Sequence, residues 1–243
     1  MRVGLIGYGK AGQAVANVLE QDPRYTLSWI ARHTPAPIDR DLPVTRLDAA
    51  TFDDWLDRHP VDALVDFSDA SALWQYGEAI RHRQLMLVTA ISSYPAEAKT
   101  YLQELGRTLR ILASPNITLG INFLMQAARL LRRIAPFADV EIVEQHFRDK
   151  PEVSGTARKI AESLDIDDES ITSLRLGGIV GHHEVIFGFP HQTVRLSHDS
   201  IRREAFGTGA AFALQQLAGL PPGCYSFEDM LMRLIREELK DAA

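Results

Sequence analysis

Hydrophobic and polar positions along this chain follow two successive patterns. In the first half, short apolar runs at residues 2–6, 26–31, 63–67, 85–89 and 110–114 alternate with stretches of helical composition at 13–20, 52–59, 70–83 and 95–107. A brief run that is apolar at successive positions suits a strand buried on both faces, as in a parallel sheet with helices on either side. Strands alternating with helices imply right-handed crossovers and a doubly wound sheet, with ligands at the carboxyl ends of its strands. Residues 39–50 read as a loop.

After Asn116 the pattern changes. Residues 119–134 predict a helix with Leu124, Ala127, Ala128, Leu131 and Ile134 on one face and arginines opposite. An alternating strand follows and runs into a charged loop holding His146 and Lys150, and then into Ser154-Gly155-Thr156, which opens another helix. Strand-like stretches at 173–176, 183–188 and 192–198, with no long helix between them, predict an α+β unit with a mixed or antiparallel sheet. Helices return at 208–217 and 227–240. The turn Phe206-Gly207-Thr208-Gly209 reads as an interdomain hinge, after which the C-terminal segment packs back on the first domain. The fold class is therefore α/β: a Rossmann-type dinucleotide-binding domain of residues 1–117 with 207–243, and a substrate domain of residues 118–206.

Composition narrows the partners. The 243 residues are 46% hydrophobic and 24% charged, as in an ordinary globular protein. A net charge of −6 argues against a nucleic-acid partner, which would need clustered Lys and Arg. No apolar run approaches the ~20 residues of a membrane span, and no leader pattern precedes the first strand, so the expected location is the cytoplasm. One cysteine, Cys224, excludes an internal disulfide. Eight histidines complete no metal-ligand spacing, and no metal is expected.

The candidate chemistry begins at Gly7-Tyr8-Gly9-Lys10-Ala11-Gly12, a GxGxxG directly after a strand and opening a helix. Gly7 permits the tight turn, Gly9 admits a pyrophosphate to the backbone and Gly12 lets helix and strand approach. Where an acidic residue would accept the ribose hydroxyls of NAD, the second strand ends in Ala31-Arg32-His33. Arg32 suits a 2′-phosphate, so NADPH is the preferred cofactor, with NADH possible. Phe67, Ser68, Thr89, Ser114 and Asn116 fall at further strand ends, where a cofactor rim belongs. Residues 141–157 offer a second site. The unpaired N–H groups and positive dipole at Ser154-Gly155-Thr156 can bind a carboxylate, with His146 and Lys150 beside it for proton chemistry. The same three residues also suit an ordinary helix cap.

In order, the glycine motif, Asp66-Phe67-Ser68, Ser114-Pro115-Asn116 with Leu119-Gly120, the segment 144–156, Gly178-Ile-Val-Gly181 with His183-Glu184-Val185, and Ser197-His198 with Arg203 and Phe206 resemble the dihydrodipicolinate reductase family over nearly the whole chain. The resemblance implies NAD(P)H-dependent reduction of a small cyclic dicarboxylate, 4-hydroxy-tetrahydrodipicolinate, in diaminopimelate and lysine synthesis. It implies that His146 and Lys150 are catalytic, and that Ser154, Gly155, Thr156 and Arg203 bind substrate. It implies a homo-oligomer as well.

Departures from the family pattern are concentrated near the site. Phe147 replaces a second histidine, the loop before Ser154 is one residue shorter at Glu152-Val153, and Thr-Thr-Gly has become Thr89-Ala90-Ile91. The segment between Thr156 and Arg175, which in relatives helps build a tetramer, is much shorter. These changes leave open a reductase of this fold acting on another cyclic imine or carbonyl acid. From another class, they leave a non-catalytic NADPH-binding sensor or scaffold.

Overall fold

The structure is a computed structural model describing residues 1–34 and 36–241. Pro35 and residues 242–243, which the first domain's assigned span includes, lie outside the described residues. In chain order the elements are β1 (Arg2–Ile6), α1 (Lys10–Gln21), β2 (Thr26–Arg32), β3 (Val44–Arg46), α2 (Ala49–Arg58), β4 (Ala63–Asp66), α3 (Leu73–Arg83), β5 (Met86–Thr89), α4 (Ala96–Leu105), β6 (Arg110–Ala113) and α5 (Leu119–Ile134). They continue as β7 (Asp139–His146), α6 (Gly155–Leu164), β8 (Ile171–Arg175), β9 (Gly181–Phe189), β10 (Gln192–Ser200), α7 (Glu204–Ala218), β11 (Gly223–Tyr225) and α8 (Phe227–Asp241). The chain divides into two compact units, Met1–Thr118 with Arg203–Ala243, and Leu119–Arg202.

The first unit is a parallel sheet in the order β11-β6-β5-β4-β1-β2-β3. Strand order reverses between β1 and β4, which opens a crevice at their carboxyl ends. Consecutive residues of each central strand point to opposite faces, and both faces are dry. Ile6, Leu64, Leu87 and Ile111 pack with Phe52, Leu56, Tyr76 and Leu102 of α2, α3 and α4. Leu5, Val65, Val88 and Leu112 pack with Val15, Leu19, Leu214 and Phe227 of α1, α7 and α8. Burial on both sides is why these strands read as unbroken apolar runs.

Two strands escaped the sequence reading. β3 lies inside the stretch read as a loop, and β11 adds a second edge. Each has only three residues and no fully buried position, so neither carries the apolar run that marked the others. The hinge reading of Phe206 to Gly209 is also overturned, because these residues lie inside α7. Their glycines serve close packing. A Cβ on Gly207 would stand 2.6 Å from Val18 of α1, and one on Gly209 would collide with the Ile117 carbonyl.

The second unit is a four-stranded sheet in the order β10-β9-β7-β8, with β7 and β8 parallel and the other pairs antiparallel. One face carries Ile142, Val185 and Phe187 against α5 and α6. The other is crossed by polar pairs, among them Thr172 Oγ1 donating to Glu141 at 2.6 Å and Arg195 to Glu184 at 3.0 Å. Within α5 the buried face centres on Ile121, Leu124 and Ala128. Ile134, expected in it, is exposed, and at this end of the helix the neighbouring Ala135 is the buried residue.

Gly209→Ala is expected to destabilise the protein by about 2 kcal/mol or more, because a backbone carbonyl cannot swing away as a side chain would. Denaturant unfolding checks this, and an unchanged midpoint would restore the hinge reading.

Candidate functional site

The glycine motif is built as a cradle. Gly7 has φ +86, a left-handed conformation that favours glycine, and its N–H donates to the Ala31 carbonyl at 2.9 Å. A Cβ there would come within 2.6 Å of the Phe67 backbone, and one on Gly12 would strike the Gly7 carbonyl. Gly9 has nothing within 4 Å of its Cβ position. Gly9 is also the N-cap of α1 and has no side chain to claim the first N–H groups of that helix. Those groups and the positive dipole end are left for an anion. The crevice holds a cavity of about 340 Å³ lined by Ile6, Gly7, Tyr8, Gly9, Arg32, His33, Thr34, Phe67, Ser68 and Asp69. These features fit a bound dinucleotide.

Of the two other residues of the motif, Lys10 is exposed on the first turn of α1 and Ala11 is half-buried. Arg32 ends β2 with its guanidinium 5.9 Å from the Tyr8 ring, and beyond it His33 pairs with Asp69 at 2.9 Å. Sequence reasoning missed Arg40, whose guanidinium lies 5.8 Å from the Tyr8 ring. It donates to the Tyr8 hydroxyl at 2.5 Å, bonds Asn17 and forms an ion pair with Glu20. Glu20 thus offsets the charge of Arg40. No signal in the loop sequence marks this contact, which exists only because 36–40 folds onto α1.

The rim residues divide by what their side chains do. Ser68 donates through its N–H (2.9 Å) and its hydroxyl (2.5 Å) to Oδ1 of Asp66, and Tyr76 donates to Oδ2 at 2.7 Å. Burial pushes Asp66 up to about 6 despite these three donors. Thr89 is fully buried, with its hydroxyl on the Tyr94 hydroxyl at 2.7 Å and its carbonyl accepting from the Ser114 N–H at 3.1 Å. Ser114 and Asn116 close a turn after β6, in which Asn116 Oδ1 accepts from the Thr118 N–H and hydroxyl.

In the second unit, two sequence-predicted residues, His146 and Ser154, meet at Glu144. His146 is not in the loop but is the last residue of β7, and it is buried. Its Nδ1 meets Glu144 Oε2 at 2.5 Å. Glu144 is wholly buried and accepts in addition from the Ser154 N–H at 3.1 Å, the Ser173 hydroxyl at 2.8 Å and both terminal nitrogens of Arg175 at 2.8 and 2.9 Å. Burial alone would push this carboxyl up. Arg175, Ser173, His146 and the Ser154 N–H outweigh it and hold Glu144 at about 2, fully ionised at neutral pH. Gly181 faces His146 across β7 and β9, and a Cβ there would lie 3.2 Å from Nε2.

Ser154 caps α6, accepting from the N–H groups of Thr156 (3.2 Å) and Ala157 (3.4 Å). Its own hydroxyl proton is then directed to His183 Nε2 at 2.8 Å. The Ser154 side chain is thus spent inside the protein, while Gly155 is exposed with open space around it and Thr156 and Lys150 are half-buried. Arg203 belongs to the first unit, exposed at the N-cap of α7. Sequence reasoning missed Arg175 and the pairing of Ser154 with His183. The available signal was alternation, since Ser173 and Arg175 lie opposite Glu144 and His146 in the β7–β8 register.

Residues 1–117 match the family described as dihydrodipicolinate reductase, N-terminus, and residues 117–231 match its C-terminus. The chain is 28% identical to a 4-hydroxy-tetrahydrodipicolinate reductase of Caldanaerobacter subterraneus subsp. tengcongensis, over 93% of this chain and 95% of that protein. It is 29% identical to the protein of that name in Thermosipho africanus, over 95% and 98%. The fold superposes on a dipicolinate-bound dihydrodipicolinate reductase from Paenisporosarcina sp. TG-14 with a TM-score of 0.80 at 21% identity, covering 93% of this chain and 97% of that one. A diaminopimelate dehydrogenase of C. glutamicum has a TM-score of 0.58 at 14% identity, over 94% and 93%.

Burial, with the nearby charge of His146 adding to it, pushes His183 down to about 3, so the folded protein keeps this ring neutral. An unfolded chain protonates it near its ordinary value of about 6.5. The unfolded state therefore binds the extra proton between those two values, and stability is lost as pH falls through that window. His183→Gln is expected to flatten the decline in melting temperature between about pH 6.5 and 3, an effect of up to a few kcal/mol. Parallel declines in both proteins would refute this.

Proposed function

Because the chain belongs to the dihydrodipicolinate reductase family, we propose that it reduces 4-hydroxy-tetrahydrodipicolinate to tetrahydrodipicolinate at the expense of a pyridine nucleotide, in diaminopimelate and lysine synthesis. The observation that carries this reading to the present residues is the second-unit site, where His146 rests on an ionised carboxylate next to a helix N-terminus. The overall change removes the 4-hydroxyl as water and adds one hydride and one proton.

A reduced nicotinamide bound by the first unit supplies the hydride. Gly7, Tyr8, Gly9, Lys10, Ala11 and Gly12 would hold the pyrophosphate side, with Phe67, Ser68, Thr89, Ser114 and Asn116 toward the nicotinamide. NADPH is the proposed preference, NADH being accepted less well. Support comes from Arg32 at the end of β2, the chain position where a site for NAD carries a carboxylate, while the charge of nearby Arg40 is already offset by Glu20.

Glu144 holds His146 by Nδ1, so Nε2 is the atom that carries the transferable proton. Hydride addition to a conjugated imine leaves negative charge on the ring system, which a cationic acid stabilises and then protonates. Lys150 is the second cationic donor, for proton transfer and for a substrate carboxylate. Gly155 and Thr156 receive a carboxylate at the first turn of α6, and Arg203 is a further substrate ligand. Ser154 contributes by shaping that turn. We place the enzyme in the cytoplasm as a homo-oligomer. Among the described residues no helix is long and apolar enough to cross a membrane.

Purified protein supplied with enzymatically generated 4-hydroxy-tetrahydrodipicolinate is expected to oxidise NADPH, and no turnover with either nucleotide would sink the reading. His146→Ala and Lys150→Ala are each expected to lower kcat/KM by about a hundred-fold or more, the scale of lost acid catalysis. Nucleotide affinity should stay unchanged in both. Arg32→Ala is expected to raise the Kd of NADPH by about ten-fold or more, with little effect on NADH, as for loss of a charge-assisted phosphate contact. Equal loss for both nucleotides would overturn the proposed preference.

A further inference from the structure

Arg175 has the geometry of a hub with no donor to spare. A guanidinium carries five N–H donors in one plane. Here Nε donates to the Lys150 carbonyl at 3.0 Å, one terminal nitrogen to Glu144 Oε2 and the Leu174 carbonyl, both at 2.9 Å, and the other to Glu144 Oε1 and the Glu152 carbonyl, both at 2.8 Å. One bond from Nε and two from each terminal nitrogen account for every donor. Arg175 is thereby committed within the protein and is not available as a ligand for substrate.

Its partners are the two supports of the proposed chemistry. Glu144 orients His146. The Lys150 and Glu152 carbonyls belong to the loop carrying Lys150, whose other backbone ties are one turn from Lys150 N–H to the Phe147 carbonyl and one bond from Arg148 N–H to the Gly177 carbonyl. In the half of this loop after Lys150 the guanidinium grips the Glu152 carbonyl. A planar fork can bridge a carboxylate and two carbonyls together, whereas a single ammonium cannot.

We propose that Arg175 is the positioning residue of this site, holding His146 through Glu144 and Lys150 through the loop backbone. The inference rests on the reading that His146 and Lys150 handle protons.

The test compares Arg175→Lys and Arg175→Ala with Ser173→Ala, since Ser173 donates to the same carboxylate but touches nothing in the loop. Two readouts are needed, steady-state kinetics and amide hydrogen exchange. Arg175→Lys is expected to lose kcat by about ten- to a hundred-fold, the scale of a misplaced catalytic group, with the nucleotide Kd unchanged. Amide exchange should accelerate at 148–153 and not in α5 or β9. Added guanidinium ion should restore part of the activity of Arg175→Ala, and Ser173→Ala should lower kcat less than Arg175→Lys does and leave exchange at 148–153 unchanged. Wild-type kcat in Arg175→Lys overturns the proposal whatever the exchange shows. Acceleration spread through the whole second unit also overturns it, because that marks a merely structural loss. If the wild-type enzyme does not turn over the substrate, the functional reading fails by itself, and the exchange pattern still decides whether Arg175 holds the loop.

Discussion

A carboxylate removed from water must be matched by cations and donors or give up its charge, and the second unit is arranged around one such group. Glu144 is entirely buried and stays ionised because Arg175, Ser173, the Ser154 N–H and His146 converge on it. The partners come from three separate pieces of chain. β7 brings His146, β8 brings Ser173 and Arg175, and the start of α6 brings Ser154. Satisfying one charge therefore fixes the register of two strands and the entry angle of a helix. His146 and the first turn of α6 are placed by the same act. Removal of Arg175, the permanent cation among these partners, would leave the buried charge uncompensated.

Asp66 in the first unit shows what happens without a cation. It too has no exposed surface, but its donors are the neutral hydroxyls of Ser68 and Tyr76 and one backbone N–H, and it is pushed up to about 6 where Glu144 is held at about 2. The heavier desolvation of Asp66 and the charged partner of Glu144 act together in this contrast. It also suits the two locations. At the end of β4 a carboxyl anchors the Ser68 turn, and its proton state has no evident chemical task. At the end of β7 a permanently ionised carboxylate keeps an imidazole in one orientation.

The first unit solves a different problem, admitting a large anionic ligand to the backbone. Its means is the removal of side chains. Gly7 adopts a conformation closed to most residues, Gly12 lets α1 meet β1, and Gly9 leaves the first turn of α1 open. The same economy recurs in Gly207 and Gly209, where glycine lets α7 lie close on α1 and on the Ile117 backbone. Those two were misread as a hinge because glycine in sequence signals freedom and close packing alike.

The sequence by itself determined the doubly wound sheet, because strands buried on both faces must be apolar at successive positions, and that pattern is visible without coordinates. It also determined the glycine turn that opens α1 and the Ser154 cap that opens α6, since these contacts are local in the chain. Only the tertiary structure decided which of the candidate side chains are free. The Ser154 hydroxyl is taken by its own helix and by His183, the Thr89 hydroxyl by Tyr94, and His146 is buried in a strand instead of lying in a loop. Arg175, 31 residues beyond Glu144, and Arg40, 32 beyond Tyr8, gained their places in the same way. A charged residue in a loop or at a strand end has the same local signature whether it faces water or a partner. The difference is set by what the fold brings within about 3 Å of it, the reach of a hydrogen bond.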